Sequence, residues 1–508
     1  MESGDRPQEE GPGREFLEKT GEPSRPPRIF RREDHNVGET TAAFPDSGSE
    51  EGEGKGSIAQ TLSNLAATLE AEPPAPDNSK SSFFPRQPRT LAEVGLSKAF
   101  LVDLTLKIVH YSGSPSTAQL MRRLGLGQTL VQQILTTLQE ERLCEVLSQS
   151  DLYTGNYRYR LSERGVARVT EALERTRYAG PAPVTAEQYG EVIRGQQAYR
   201  QTPSRDHIRA ILDELILAPD VSDAVARALH SGKTTMFYGP SGNGKTIILE
   251  RFARNLDGAV LVPYAIYAYG QAIRVFDPSI HKPVDEFDER NTVKDDARLD
   301  RRWVLVRRPA VVLGSEIGPE SLDLAYDPQA RFYQAPPHVK AQGGVVVVDD
   351  LGRQRIEPRE LMTRWLIPVE RGWDSLSLIT GEKLTIPFDV QLLFGTNQPI
   401  DQLGDDALLR RILYKVKIPS PGPAEFADIM RRLCNQHNVG TAEGTIERVV
   451  EWLYGQPGAN PRAAYARDLL QVVIEGAAYD GREAVLDEES FQQAFKLFMS
   501  QRSADETA

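Results

Sequence analysis

Gly239, Pro240, Ser241, Gly242, Asn243, Gly244, Lys245 and Thr246 spell the pattern G-x-x-x-x-G-K-[ST]. Few other sequences constrain a fold so narrowly. The run Thr234–Tyr238 before it is β-prone, and Thr246–Asn255 after it reads as a helix with Ile247, Ile248, Leu249 and Phe252 on a buried side. A strand, a glycine loop and a helix start let backbone N–H groups converge on a polyphosphate. The glycines are needed because a Cβ would block both the turn and the approach of the phosphates. Lys245 is placed to reach the β/γ-phosphates, and Thr246 to hold Mg²⁺ through its hydroxyl.

The 508 residues allow three or four segments with a sizeable core. The formal net charge of −12 gives no global basic field for nucleic acid or anionic lipid. Two cysteines, Cys144 and Cys434, exclude a disulfide framework and a cysteine-based zinc site, and fit a reducing cytosol. The first residues lack the basic and apolar regions of a signal peptide, and no apolar run approaches the ~18 residues of a membrane span. The expectation is a cytoplasmic protein.

Residues 1–90 are rich in Pro, Gly, Ser and Glu, with 17 acidic and 11 basic residues, and read as a disordered tail. Within them, Ile58, Leu62, Leu65 and Leu69 recur at helical spacing over Ser57–Glu70, as a transient helix or a docking helix for a partner groove. Residues 91–178 read as three helices (Phe100–Tyr111, Ser116–Leu124, Gln128–Leu143), strands at Cys144–Leu147 and Asn156–Leu161, and a closing helix capped by Ser162. That order resembles a winged helix. Its third helix offers Gln132, Gln133, Thr136, Thr137, Gln139, Glu140 and Glu141 but no Lys or Arg before Arg142, a poor face for DNA. Arg158 and Arg160 on the wing, with Arg122 and Arg123, keep a nucleic-acid partner as the alternative to a protein one. Residues 179–205 read as a linker with Pro181, Pro183 and Pro203, residues 206–420 as a nucleotide-binding core, and residues 421–508 as four helices.

Gly343–Gly352 is the second anchor. Four valines, Val345 to Val348, suit a strand buried on both faces of a parallel sheet. Two carboxylates follow, where ligands bind in open α/β sheets. Asp349 is expected to hold Mg²⁺ through water, and Asp350 to orient or deprotonate an attacking water. Val390–Thr396 is another buried strand ended by Asn397, and Asp405-Asp-Ala-Leu-Leu-Arg-Arg411 comes next.

Taken in order, these motifs resemble AAA+ ATPases over roughly residues 206–500. The resemblance implies an α/β P-loop core, a parallel sheet with helices on both faces, and a C-terminal α-helical lid. It implies ATP and Mg²⁺ bound between subunits of a ring or arc, and hydrolysis to ADP and phosphate. Asn397 matches sensor 1, and Arg462 in Asn-Pro-Arg matches sensor 2, with Pro461 in the first helical turn. Arg410 and Arg411 fall where the arginine finger lies, Arg411 being favoured. Asp349-Asp350 departs from the more frequent Asp-Glu and suits slow, switch-like turnover.

About 70 residues, Gly270–Lys340, separate the expected second strand from the Asp-box strand. In them Arg301–Arg308 and Ala310–Leu313 read as a hairpin. The whole pattern is similar to a bacterial group named as predicted ATPases with chaperone activity. Tyr267-Ala-Tyr-Gly270 reads either as a hairpin or as the aromatic pore loop of AAA+ unfoldases. His281 and His338 read as loop histidines without metal partners, and Trp303, Trp365, Trp373 and Trp452 as packing residues. The functional expectation is an oligomeric remodeller of an unknown protein client. A DNA-associated regulator and a nucleotide-gated assembly switch are the alternatives.

Overall fold

The structure is a computed structural model, and it describes residues 84–149, 157–200, 202–213, 215–284, 299–456 and 460–505. The expected tail up to residue 83, the Ser57–Glu70 helix and the turn at 150–156 lie outside the described residues.

Hydroxyl caps set the first helices. Thr90 accepts from Glu93 N to start α1 (Leu91–Val94), and Ser97 accepts from Phe100 N to start α2 (Lys98–Ser112). Ser116 and Gln119 form a reciprocal capping box for α3 (Thr117–Leu124). Helix α4 (Gln128–Glu140) buries Leu130, Ile134 and Leu138 and leaves its glutamines outside. Strands β1 (Cys144–Gln149) and β2 (Tyr157–Leu161) pair antiparallel, and α5 (Glu163–Arg175) starts at Ser162. Gly165 is required there, because a Cβ would lie 2.0 Å from Leu143 O.

The stretch expected as a linker is folded. It holds β3 (Val184–Thr185) and α6 (Ala186–Tyr199), started by a Thr185–Gln188 capping box. Tyr189, Val192 and Ile193 are buried on one side of α6, and Tyr189 stacks on Trp303. The prolines bracket this helix rather than interrupt it. Helices α7 (Arg205–Asp213) and α8 (Pro219–His230) then lead to β4 (Thr235–Tyr238) and α9 (Lys245–Arg254).

Next come β5 (Ala259–Pro263), β6 (Ala265–Ala268), β7 (Gln271–Arg274), β8 (Trp303–Arg307) and β9 (Ala310–Leu313). The expected hairpin between the last two does not form. β8 pairs antiparallel with β5, whereas β9 pairs parallel with β12 (Val345–Val348). Pro309 turns the chain from one sheet to the other, and its carbonyl accepts from Val345 N at 3.0 Å. Gly344 permits that approach, since a Cβ there would lie 1.9 Å from Pro309 O. The second strand of the central sheet in chain order is therefore Ala310–Leu313, which falls inside the expected insertion and divides it into a part before and a part after this strand.

β10 (Ala325–Asp327), β11 (Phe332–Gln334) and α10 (Pro337–Lys340) precede β12. After it come α11 (Pro358–Arg371), β13 (Trp373–Ser377), β14 (Lys383–Pro387), β15 (Gln391–Thr396), α12 (Asp406–Leu409) and β16 (Tyr414–Lys417). The central sheet has the order β16-β4-β15-β12-β9 and every pairing in it is parallel. The four valines of β12 are all buried: Val345 and Val347 pack with Phe252 of α9 and Val225 of α8, Val346 and Val348 with Leu361 and Trp365 of α11. Each contributes about 1.5–3 kcal/mol by burial.

A second sheet, β10-β11-β7-β6-β3, joins the N-terminal helices to the core. Ala265 and Ala272 belong to the same buried cluster as Leu101 and Leu130, and the Tyr267 ring lies 4.6 Å from Phe100. Tyr267 is thus a packing residue of the β6–β7 hairpin. Tyr269 and Gly270, both at positive φ, make its two-residue turn. The hairpin reading holds at Tyr267-Ala-Tyr-Gly270.

The C-terminal bundle comprises α13 (Pro423–Gln436), β17 (Gly440–Thr441), α14 (Thr445–Tyr454), α15 (Ala463–Tyr479), β18 (Val485–Leu486) and α16 (Glu488–Asp505). Phe426, Leu453, Leu469 and Phe491 are among its core residues. Pro461 lies before the cap residue Arg462, outside the first helical turn. Among the described residues no helix is long and apolar enough to cross a membrane.

Candidate functional site

The glycine loop leaves the C-terminal end of β4 and runs into α9. Gly239 sits at φ 140°, and a Cβ there would fall 2.2 Å from Ile418 O. Gly242 and Gly244 lie at φ 82° and 87°, a region that L side chains rarely adopt. A Cβ on Gly244 would meet nothing within 4 Å, so its open side is space rather than packed protein. Lys245 is buried and donates from Nζ to Gly239 O and Pro240 O, both at 2.8 Å. Burial holds its pKa below the usual lysine value. The charges of Asp350 and Asp349 oppose that shift, and Arg462 reinforces it.

Neighbouring strands bring the acidic residues to the same edge. Thr246 Oγ1 donates to Asp349 Oδ2 at 2.7 Å. Asn397 Nδ2 donates to Asp350 Oδ1 at 2.7 Å. Asp350 takes a left-handed conformation, φ 48°, which turns the chain off β12. Leu351 N donates to Gly395 O at 2.7 Å, and Thr396 Oγ1 to Leu351 O at 2.9 Å. These two bonds stitch the ends of β12 and β15 together and hold Asp350 beside Asn397. Gly395 is essential to the arrangement: a Cβ there would lie 2.8 Å from Asp349 Oδ1 and 2.7 Å from Leu249 Cδ1.

The loop also meets the C-terminal bundle. Asn243 Oδ1 accepts from Ala463 N at 3.1 Å, and Gly242 O accepts from Ala464 N at 2.8 Å. A Cβ on Gly242 would be 3.7 Å from Arg462 Cβ, so the stem of Arg462 runs along the loop. Pro240 and Ser241 complete the turn between Gly239 and Gly242, with Ser241 exposed. Among the described residues neither Arg410 nor Arg411 makes a hydrogen bond or ion pair to this cluster. Arg411 Nε binds Glu370 Oε2 at 2.8 Å, whereas Arg410 is exposed and has no ion-pair partner among the described residues.

Sequence reasoning missed Asn243 as a bridge and Gly395 as a spacer, since neither has a local pattern. It also missed the burial of both histidines. His338 is fully buried in α10, donates from Nε2 to Asp374 Oδ2 at 2.8 Å and accepts at Nδ1 from Trp365 Nε1 at 3.3 Å. Arg364 engages both Asp374 oxygens, at 2.7 and 2.9 Å. Burial therefore outweighs the Asp374 charge and holds the imidazole neutral, its pKa lowered. His281 is buried likewise, between Asp277 N and Lys340 O. The Asp-x-x-x-His spacing of Asp277 and His281 was the available signal for that turn. Among the described residues no group of three or more His, Cys, Asp or Glu is arranged to hold a metal ion.

A family model described as a domain of unknown function, DUF8689, matches residues 422–497, the C-terminal bundle. No curated protein matches the chain. Among solved structures, the chain is similar to the RuvB Holliday junction branch migration motor of Thermotoga maritima, with 14% identity, TM-score 0.32, and coverage of 56% of this chain and 71% of that chain. An alanine-to-serine mutant of that protein gives 12% identity and TM-score 0.35 over the same shares.

Proposed function

We propose that this chain binds ATP with Mg²⁺ and hydrolyses it to ADP and phosphate, as an AAA+ type ATPase working in an oligomer. The observation that carries the reading is the convergence of Lys245, Thr246, Asp349, Asp350 and Asn397 at one edge of the parallel sheet. The residues fit the ligands: the loop has open space beside Gly244 where a side chain would stand, and Thr246 with Asp349 offers hard oxygen donors.

Loop N–H groups and the α9 N-terminus would bind the phosphates. Lys245 would exchange its two carbonyl partners for phosphate oxygens. Thr246 and Asp349 would hold Mg²⁺, which supplies charge neutralisation at the transferring phosphoryl group. Asp350 would accept the proton of the attacking water, and Asn397 would orient that water and Asp350 without adding charge. Arg462 lies along the loop and would contact phosphate as sensor 2, with residues 421–508 acting as the lid. Of the two finger candidates, the Arg411–Glu370 pair shifts the preference to Arg410, which is exposed and ready to reach a neighbouring subunit.

A protein rather than a nucleic acid is the partner this surface favours. On residues 91–178, read as winged-helix-like, the exposed face of α4 carries no cation. Arg160 is paired with Glu145, and Arg158 with Ser114 O. Val146, Leu147 and Tyr157 are exposed on the β1–β2 hairpin instead. The remodeller reading rests on this apolar surface and on the cation-free face of α4, Tyr267 being a packing residue of a hairpin. Light scattering after size exclusion, with ADP and with ATP·Mg²⁺, tests the assembly. Growth of the particle with ATP together with phosphate release is expected, and a monomer that releases no phosphate refutes the reading.

A further inference from the structure

Asn243 stands between two glycines at positive φ, in the middle of the phosphate-binding loop, and the residue is 4% exposed. Both ends of its amide are used. Oδ1 accepts from Ala463 N at 3.1 Å, and Nδ2 donates to Ser420 Oγ at 3.3 Å. Ala463 is the first residue of α15, and Ser420 lies on the connection from β16 to α13. The first N–H groups of a helix have no partner inside it. The cap residue of α15, Arg462, makes no side-chain cap bond. The loop supplies the missing acceptors itself, through Asn243 Oδ1 and Gly242 O.

One side chain thus joins the loop, the connection into the bundle and the helix that runs away from the site. A phosphate entering the loop acts on the backbone of the same residues that cap α15. Any resetting of Gly242 and Asn243 changes the acceptors offered to Ala463 and Ala464.

We infer that Asn243 is a positioning residue that transmits occupancy of the phosphate-binding loop to α15 and so to the C-terminal bundle. The inference rests on the reading of the loop as a nucleotide site, and ADP is the probe. Hydrogen exchange over 463–479 is measured in the full chain, without ADP and at ADP concentrations shown by calorimetry to saturate each variant. In the unaltered chain ADP is expected to change exchange in α15 about fivefold or more, within the usual range of coupling between sites.

Asn243→Ala is expected to weaken that response severalfold at saturation, the Gly242 O bond to Ala464 N being left in place. Asn243→Asp, which keeps an acceptor for Ala463 N and for the Ser420 hydroxyl, is expected to restore it. Ser420→Ala, outside the loop, is expected to weaken the response while leaving ADP affinity unchanged. A wild-type response in Asn243→Ala overturns the inference. So does a failure of Asn243→Ala to bind ADP at all, which would assign the side chain to the loop's own folding. An unaltered chain that binds no ADP overturns the nucleotide reading instead, and the calorimetry separates that case.

Discussion

Thr246 Oγ1 and Asp349 Oδ2 lie 2.7 Å apart although 103 positions separate them in the chain. The contact exists because β4 and β12 flank β15 in one parallel sheet and end at the same edge. Gly395 on β15 leaves the room for it, with the Asp349 carboxylate 2.8 Å from where a Cβ would stand.

Gly395→Ala is therefore expected to displace Asp349 or Leu249. Overpacking of this kind costs about 1–3 kcal/mol, readable in a denaturant melt. Mg²⁺-dependent nucleotide affinity is expected to fall by up to about a hundredfold, the scale of a small misplacement of a site group. Unchanged affinity would mean that Leu249 gives way in place of Asp349, or that Asp349 holds no metal.

Asp350→Asn is expected to retain ATP but slow phosphate release by about a hundredfold or more, the usual contribution of a positioned base. The amide keeps the shape and loses the proton acceptor. Turnover at the original rate would place the base elsewhere.

Arg410→Ala is expected to reduce turnover by roughly a thousandfold with ATP binding intact, as loss of a trans arginine does. Arg411→Ala breaks an exposed pair worth about 0–1 kcal/mol, so turnover is expected to stay within about fivefold. The reverse ranking would assign the finger to Arg411 and make Glu370 its resting partner.

The buried histidines give the pH dependence. The pKa of His338, and in the same direction that of His281, lies below the ordinary 6.5 in the folded chain because burial penalises the charged ring. As pH falls below the unfolded value, the unfolded chain takes up protons that the folded chain does not. Stability is full above that value and is lost on acidification by up to about 1.4 kcal/mol per pH unit for each group, until the folded pKa is reached. His338→Gln is expected to reduce the fall in Tm between about pH 7.5 and about pH 5.5. An unaltered fall would mean that His338 takes up no fewer protons folded than unfolded.

Local patterns made the loop, the valine strand and the capped helices legible, because glycines at fixed offsets, alternation and N-cap residues act over a few positions. Long-range pairing was not legible. Trp303–Arg307 and Ala310–Leu313 look like a hairpin, yet Gly344, remote in sequence, lets Pro309 carry the second run into another sheet. The prolines around α6 masked its Thr185–Gln188 box. Asn243 and Gly395 carry no motif for what they do, since their roles depend on Ala463 and Asp349 arriving from elsewhere.

On the reading proposed above, Lys245 and its loop hold a nucleoside triphosphate. Equilibrium titration of the full chain with a fluorescent ATP analogue and Mg²⁺, beside Lys245→Ala, tests it most directly. Saturable binding that weakens roughly a hundredfold or more in the variant is expected, the scale of truncating one member of a buried charge pair. Equal affinity in the two proteins, or none in the unaltered chain, would contradict the assignment.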